Sequence, residues 1–346
     1  MEQEAGYVAV VPTLGRPSLQ ACLAALAAAA GAPPDRVVLV DDRRGAARPL
    51  PVAVPEPLAG RTVTVVTGGR GPSAARNAGW RAAAAGGGAE WIVFLDDDVQ
   101  VGPDWAGELA ADLAGLPDAV AGVQGVIEVP RPAGRRPTEW ERDVIALETS
   151  SWVTADMAYR HAALAAAGGF DERFRAFRED SDLALRLLDQ GWELRRGRRR
   201  TSHPVRLPGR WPSLAAQARH AEDGFMTGLH GRGWRPRAGE GLGRRPAYVA
   251  ACGLGGASLA LLAAGRRRAA GLAAGAWLAM TVELAAARSW PGPRTLPDIT
   301  EMTVTSAVIP PLAVGHWLAG RRRLRAARSL RRGGSSGPPS GTGAAA

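Results

Sequence analysis

Residues 91–98 read WIVFLDDD, an uninterrupted apolar run followed by three aspartates. Such a short run, rich in β-branched and aromatic residues, predicts a fully buried strand. Side chains two positions apart in an extended segment point the same way, so Asp96 and Asp98 can offer carboxylates to one hard cation. The alternative is a solvated acidic turn that follows a strand.

Similar apolar runs on either side extend this pattern along the chain. We predict further strands at 7–11, 36–40, 62–66 and 119–129, and helices at 18–30, 72–85, 103–116 and 179–190. Short buried strands that alternate with helices indicate an α/β fold with a mainly parallel sheet. Ligands of such sheets bind beyond the carboxyl ends of the strands, where the chain carries Thr13, Asp41, Asp42 and Asp96–Asp98.

Composition excludes several classes of function. The 346 residues carry a formal charge of +10, and all 43 basic residues are Arg. A chain without Lys cannot use Schiff-base chemistry or the phosphate-binding lysines of P-loop proteins and kinases. Two cysteines, Cys22 and Cys252, cannot form a disulfide framework or a thiolate metal site. The basic balance suggests anionic partners, but few aromatics separate the arginines to stack bases, so we expect no nucleic acid partner.

Two further motifs carry polar residues at helix starts. RGPSAARNAGW at 70–80 places Arg76 and Asn77 on the first turns of a helix, where Arg can bind phosphate; the alternative is a solvated helix face. GGFDERFRAFREDSDLALRL at 168–187 places Glu179 and Asp180 at a helix start. An acid there is either a favourable cap or a general base that takes a proton from a hydroxyl.

Taken together and in this order, these motifs resemble the family 2 glycosyltransferases of GT-A fold. The resemblance covers about residues 6–200. It rests on VAVVPTLGR at 8–16, the strand that ends in Asp41-Asp42, ARNAG at 75–79, the aspartate triplet, GGFDE at 168–172, and the E-D-x-D-L-x-x-R pattern at 179–186.

The resemblance implies an inverting enzyme with a nucleotide-sugar donor and Mg²⁺ or Mn²⁺. It implies that Asp96 and Asp98 bind the metal, and that Asp180, beside Glu179, is the catalytic base. On the acceptor side it implies Asp156 and Asp182, and it implies a late phosphate-contacting role for His203, where a structural histidine is the alternative. It assigns the donor site to the following residues: Pro12, Thr13, Arg16, Asp41, Asp42, Arg76, Asn77, Asp96 and Asp97.

Two departures from the family pattern refine this expectation. Leu14-Gly15 replaces the aromatic that the family commonly carries in its opening loop. Residues 207–211 read LPGRW, so the Gln of the processive Q-x-x-R-W motif is missing. We therefore expect transfer of one hexosyl or deoxyhexosyl group to a glycan, lipid-linked or cell-envelope acceptor.

The C-terminal third has a different composition. Residues 247–264, 269–287 and 302–319 are long and apolar, with Pro310-Pro311 breaking the third stretch and Arg clusters between them. They span a membrane, lie on anionic lipid, or pack on the catalytic domain without touching a membrane. We predict a catalytic domain at 1–240, an apolar helical region at 241–332 and a disordered tail at 333–346. The expected location is the cytoplasmic face of the cell membrane.

Three other functions are alternatives from the sequence. A sugar-phosphate nucleotidyltransferase also binds Mg²⁺ through carboxylates, but it would need a Gly-rich basic opening loop and usually a Lys. A haloacid-dehalogenase phosphatase would need Thr or Val at Gln100 and a later Lys. A degenerate transferase that serves as a scaffold in a membrane glycan assembly is the non-enzymatic alternative, and the retained carboxylates argue against it.

Overall fold

A computed structural model describes residues 6–45, 47–85 and 89–333, with side chains up to residue 325. The predicted tail therefore lies outside the described residues from position 334 onward. The strands are β1 (Tyr7–Thr13), β2 (Arg36–Asp41), β3 (Thr62–Val66), β4 (Trp91–Leu95), β5 (Gln100–Val101), β6 (Val120–Glu128), β7 (Asp156–Arg160) and β8 (Glu193–Ser202).

The helices alternate with these strands and then continue alone. They are α1 (Ser18–Ala28), α2 (Glu56–Ala59), α3 (Pro72–Ala84), α4 (Trp105–Leu113), α5 (Glu139–Ile145), α6 (His161–Ala167), α7 (Glu179–Asp189), α8 (Pro212–Ala215), α9 (Arg219–His230), α10 (Trp234–Arg237), α11 (Arg245–Ala263), α12 (Arg267–Ser289) and α13 (Leu296–Gly333). Two 3₁₀ turns lie at Ala146–Glu148 and Ala216–Ala218.

One mixed sheet of eight strands organises the first two thirds of the chain, in the order β3-β2-β1-β4-β7-β6-β8-β5. Strands β3, β2, β1 and β4 run parallel, whereas β7 is antiparallel to both of its neighbours. Thr13 pairs in register with Asp41, so β1 and β2 end at the same edge. The predicted α/β class and mainly parallel sheet are confirmed, as is the helical C-terminal segment.

Alternate residues of the central strands face opposite sides of the sheet, and each side has its own core. Ala9 and Leu39 face a cluster that includes α1 and Trp105 of α4. Val10 and Val40 face a second cluster, formed with Trp80 and the leucines of α7. The central strands are apolar throughout because both faces of the sheet are covered.

The strand β8 was not predicted, because its sequence ELRRGRRRTS contains five arginines and one aliphatic residue. It nevertheless pairs in parallel with β6. Arg199 makes this possible: it is fully buried, and its guanidinium pairs with Asp156 at 2.8 Å and Asp112 at 3.1 Å. A buried charge is tolerated when it is paired and hydrogen-bonded in this way.

The third apolar stretch is not broken as predicted. Helix α13 runs through Pro310 and Pro311. Each proline removes one backbone donor, but the helix packs against α9 on one side and against α11 and α12 on the other. Gly320 allows this approach, because a Cβ there would lie 1.8 Å from the carbonyl oxygen of Ala221.

A third apolar cluster joins the two predicted domains. Leu324 of α13 is buried together with Phe174 and Leu185 of the sheet-containing part, and with Phe225 and Trp234. The boundary near residue 240 stays a prediction. In the structure, the last helix contributes to the packing that supports α7 and the segment before it.

Candidate active site

The aspartate triplet lies where the buried strand β4 leaves the sheet. Asp96 keeps about a third of its side chain exposed, whereas Asp97 and Asp98 are buried. Asp97 turns toward the opening loop and accepts hydrogen bonds from Thr13 at 2.6 Å and Arg16 at 3.3 Å. Asp96 and Asp98 instead face His203, and ligand atoms of these three residues lie within 4.8 Å of one another.

These three side chains could hold a divalent cation. Nδ1 of His203 is buried without a hydrogen-bond partner, and Asp98 Oδ2 lies 2.8 Å from Arg206 Nε without hydrogen-bond geometry. Burial, with the nearby charge of Asp96, raises the pKa of Asp98. Carboxylates suit Mg²⁺ and Mn²⁺, and an added imidazole favours the transition ion. These donor atoms therefore fit the predicted metal, and His203 adds a third side chain to the predicted ligands Asp96 and Asp98.

Arg76 connects the triplet to helix α7. Its buried guanidinium donates to Glu179 at 2.7 Å and to Asp96 at 3.0 Å. Burial alone would lower the pKa of Arg76, but the charges of Asp96 and Glu179 outweigh burial and raise it. The predicted phosphate-binding residue is thus engaged by two carboxylates, and it fixes the start of α7 beside the end of β4.

Asp180 follows Glu179 at the start of α7. Its Oδ1 accepts the backbone N–H of Ser181 at 2.7 Å. Burial, and after it the charge of Glu179, raises the pKa of Asp180 to about 7. A carboxylate with a pKa near the working pH suits a general base, because it is largely ionised and still holds a transferred proton. The raised pKa is compatible with the role of Asp180 as the base, and this role stays a prediction.

Arg178 is a site residue that the sequence did not reveal. It holds a left-handed backbone conformation with φ of 72° immediately before Glu179. Its side chain donates to Asp223 of α9 at 2.9 Å, pairs with Glu240, and lies over the ring of Trp234. Strain of this kind persists only where surrounding contacts hold it. These contacts fix the backbone that enters the helix of Asp180.

The carboxylates at the end of β2 are occupied by protein donors. Asp41 accepts three hydrogen bonds from the backbone and side chain of Arg43, and these bonds lower the pKa of Asp41. Asp42 accepts one from Thr67 and three from backbone N–H groups at 69–71, which close the loop before α3. Their contact with a nucleotide stays a prediction.

Asn77 is another residue predicted for the donor site, and both polar atoms of its side chain are hydrogen-bonded within the protein. It donates to the Phe170 carbonyl and Glu172, and it accepts from the Phe170 N–H and Trp80. It therefore anchors the GGFDE loop to α3. Pro12 is half-buried at the end of β1, whereas Arg16 keeps about 40% of its side chain exposed and can still reach a ligand.

The two predicted acceptor-side aspartates are buried and paired within the protein. Asp156 has no exposed surface, and its carboxylate is bonded by Trp105, Thr201 and Arg199. Asp182 is 1% exposed and pairs with Arg186 and His230. Asp156 balances the buried charge of Arg199, because an unpaired charge in the core is costly, and the Arg186 side chain that pairs with Asp182 is 26% exposed. Contact of either aspartate with an acceptor stays a prediction.

Arg206 is a second site residue that the sequence did not reveal, although it follows His203 by three residues. The chain leaves β8 at Ser202, so both residues lie beside Asp98. The signal would have been the strand before them. It was hidden because the arginines of β8 do not show an apolar pattern.

Comparison with known proteins gives a family match over the residues that form most of this sheet. Residues 8–170 match the sequence profile described as Glycosyl transferase family 2. No protein of curated function is similar in sequence at a significant level. The match ends before α7, so Asp180 and His203 lie outside it.

Several solved structures share part of the architecture. A mannosyltransferase from Pyrobaculum calidifontis, PcManGT, solved with GDP-Man and Mn²⁺, has 18% identity and a TM-score of 0.49 over 90% of this chain and 86% of its own. GalNAc-T7, solved with UDP, GalNAc and Mn²⁺, has 16% identity and a TM-score of 0.45 over 60% of this chain and 45% of its own.

A third structure, S. aureus TarS, has 14% identity and a TM-score of 0.38 over 64% of this chain and 40% of its own. The chain thus spans less than half the length of GalNAc-T7 and TarS. Because all three TM-scores are below 0.5, the assignment depends on the match of residues 8–170 and on the site geometry.

Proposed function

Because the chain carries a family 2 glycosyltransferase domain over residues 8–170, we propose that it transfers one sugar from a nucleotide-sugar donor to an acceptor hydroxyl with inversion. The observation that carries this proposal is the arrangement around Arg76. On one side lies the cluster of Asp96, Asp98 and His203, and on the other the pair Glu179-Asp180.

The site residues divide the reaction between them. The oxygen of the acceptor hydroxyl forms a bond to the anomeric carbon of the donor, and the bond from that carbon to the nucleoside diphosphate breaks. Asp180 accepts the proton that the hydroxyl loses. Asp96, Asp98 and His203 would hold Mn²⁺ or Mg²⁺, which offsets the charge of the departing diphosphate as a Lewis acid. Arg76 pairs with Glu179, so the helix that carries Asp180 stays beside the donor edge.

Product analysis tests this reaction against the nucleotidyltransferase alternative. Transfer releases a nucleoside diphosphate, whereas nucleotidyl transfer releases pyrophosphate. Full-length protein is incubated with a panel of UDP-, GDP- and dTDP-sugars and Mn²⁺, and products are separated by anion-exchange chromatography. We expect nucleoside diphosphate, and an anomeric configuration opposite to that of the donor by ¹H NMR. Pyrophosphate, or retained configuration, would refute the proposal.

We also propose that the chain works at a membrane surface, through α11 and α12. Within the part of the chain that the structure describes, three helices are long and apolar enough to cross a membrane: Arg245–Ala263, Arg267–Ser289 and Leu296–Arg325. In the most apolar part of each helix, 6% of the first, 22% of the second and 33% of the third is buried. Helix α13 contacts the sheet-containing part through Leu324 in its C-terminal part. Closer to its N-terminus, Thr305 accepts a hydrogen bond from Arg288 of α12, which also donates to Glu139 of α5.

Helices α11 and α12 therefore form the exposed apolar hairpin. Leu259, Leu262 and Leu272 are more than half exposed, and Arg266–Arg268 lie at the hairpin tip. An apolar surface of this size marks a contact site for a membrane or a partner, and arginines attract anionic lipid. The expected location is the cytoplasmic face of the cell membrane, with a glycan, lipid-linked or cell-envelope acceptor.

A further inference from the structure

A cavity of about 790 Å³ lies between the loop that follows β8, the start of α5 and the first turns of α13. Its volume is within the range of about 300–1,000 Å³ that is typical of small-ligand sites. Trp140, Trp211 and Leu296 contribute apolar walls. The C-terminal helices form one side of it, so it is not a feature of the segment 8–170 alone.

The cavity adjoins the metal-ligand cluster through one short piece of chain. Arg206 pairs with Asp98 through its side chain, and its backbone carbonyl accepts a hydrogen bond from Trp140 at 2.8 Å. Pro208, two residues further on, lines the cavity. Two residues span at most about 7 Å of backbone, and the side chain of Arg206 covers the remaining distance to Asp98, so this piece of chain joins the cavity wall to the cluster.

The other end of the cavity lies at the base of the apolar hairpin. Helix α12 ends at Ser289, and the cavity wall begins at Pro293. Trp290 lies between these two points and is 71% exposed. The guanidinium of Arg294, which follows Pro293, lies 3.8 Å from the centre of the Trp290 ring. An exposed aromatic with an adjacent cation is typical of a membrane–water interface.

The cavity rim carries two residues with unusual backbones. Trp211 and Arg294 have φ values of 54° and 60°. Trp211 is 46% exposed and Leu296 is 78% exposed, although both are large. Strained residues cluster at ligand sites. Exposed apolar side chains around an open cavity are typical of a contact site. The charged residues of the lining are Glu139, Arg210, Asp298 and Glu301.

From these observations we infer that the cavity binds the apolar chain of a lipid-linked acceptor, whose head group extends past Arg206 to the metal cluster and Asp180. This inference rests on the proposed glycosyl transfer and specifies its acceptor class. The chain enters from the bilayer at the hairpin base. The apolar walls bury it, and the hydroxyl to be glycosylated lies at the opposite end.

Photo-crosslinking tests this assignment on the full chain in nanodiscs. The probe is dodecyl β-glucoside with a diazirine on its alkyl chain, and labelled peptides are located by mass spectrometry. We expect labels at residues 208–212 and 295–304. Methyl β-glucoside has no long chain and should not compete, whereas unlabelled dodecyl β-glucoside should.

Two matched variants of α13 give the control. Thr300 lines the cavity and Thr303 does not; both are exposed, and each donates to the carbonyl four residues before it. Thr300→Trp should lower labelling at least about 10-fold, a loss equivalent to 1.4 kcal/mol, and Thr303→Trp should leave it unchanged. Leu296→Glu, at a second exposed wall position, should lower labelling as Thr300→Trp does.

Two results would overturn the inference. The first is labelling that Thr300→Trp and Leu296→Glu leave at the wild-type level. The second is equal labelling of the same peptides by a diazirine phosphatidylcholine, which would mean that the cavity holds ordinary bilayer lipid. Metal-dependent nucleotide binding, measured on the same samples, separates the two proposals: its absence refutes the glycosyl transfer, whereas its presence without cavity labelling refutes only the acceptor site.

Discussion

Arg76 donates a hydrogen bond of 2.7 Å to Glu179, and this contact joins α3 to the helix that carries Asp180. Both side chains are about 7% exposed. A buried pair of this kind adds little net stability, but the loss of one partner leaves an uncompensated charge in the core. The pair therefore makes the position of the base sensitive to a residue 103 positions earlier in the chain.

The first prediction concerns this pair. Arg76→Met should lower the free energy of unfolding by about 3–5 kcal/mol, because Glu179 stays buried without its cation. Arg81→Met on the same helix is the matched control: Arg81 is 53% exposed and lies 3.7 Å from Glu172, and its loss should cost about 0–1 kcal/mol. Urea unfolding measures both, and equal losses would contradict the role of the pair.

The second prediction concerns the pH dependence of turnover. Asp180→Asn should lower kcat by about 10²–10⁴. In the wild type, kcat should fall as the pH drops through about 7, because Asp180 must be ionised to accept a proton. Glu179→Gln should move this acidic limb to lower pH, because the charge of Glu179 raises the pKa of Asp180. A limb that stays in place or moves upward would rule out this assignment.

Thermal unfolding distinguishes a loss of turnover in Asp180→Asn from a loss of the fold. The pKa of Asp180 is higher in the folded chain than the ordinary value of 3.8. The ionised group therefore destabilises the folded state increasingly as the pH rises from about 4 to 7, and fully above it. Asp180→Asn removes this penalty, so its Tm should exceed that of the wild type at pH 8 and approach it near pH 4. A lower Tm at pH 8 would indicate a structural role instead.

The third prediction concerns the contact between α9 and α13. Gly320→Ala places a Cβ 1.8 Å from the Ala221 carbonyl oxygen and should destabilise the protein by about 1–3 kcal/mol, as overpacking does. Gly315→Ala, on the same helix, has no atom within 4 Å of its Cβ. It should stabilise the protein by about 0.5–1 kcal/mol. Changes of the same sign in urea unfolding would refute the packing.

The fourth prediction concerns membrane attachment. Leu262→Glu together with Leu272→Glu should abolish sedimentation of the full chain with anionic vesicles, because charges on the apolar hairpin oppose burial in lipid. Val63→Glu, on the edge strand β3 and 42% exposed, should leave sedimentation unchanged. Circular dichroism checks that each variant is folded. Vesicle binding by the double variant at the wild-type level would contradict attachment through the hairpin.

The sequence predicted the elements whose burial leaves a simple pattern. β1, β2 and β4 are apolar throughout because both sheet faces are covered, and Leu183 and Leu187 show one face of α7. The structure also brings Thr13 to Asp97, as expected for strand ends that meet at one edge. The spacing of apolar residues in a sequence indicates which of them are buried. These elements are stabilised mainly by that burial, so the sequence predicts them.

Elements and contacts stabilised by ion pairs were not predicted from the sequence. Arg199 buries itself against Asp156 and Asp112, so an arginine-rich segment forms an internal strand and a predicted acceptor residue becomes its counter-ion. Arg178 reaches Asp223, 45 positions later. Such pairs depend on tertiary proximity between distant residues, which composition and spacing do not encode.

The central claim is that Asp96, Asp98 and His203 bind the metal on which sugar transfer depends. The most direct measurement is Mn²⁺ binding to full-length protein by electron paramagnetic resonance, with and without nucleoside diphosphate, and donor turnover on the same samples. We expect wild-type binding of one Mn²⁺ that the nucleotide strengthens. Asp98→Asn and His203→Ala should each weaken it at least about 10-fold and lower turnover in parallel, while Asp104→Asn, at the exposed start of α4, should change neither. Undiminished Mn²⁺ binding in Asp98→Asn, or donor turnover that persists in EDTA, would contradict the account.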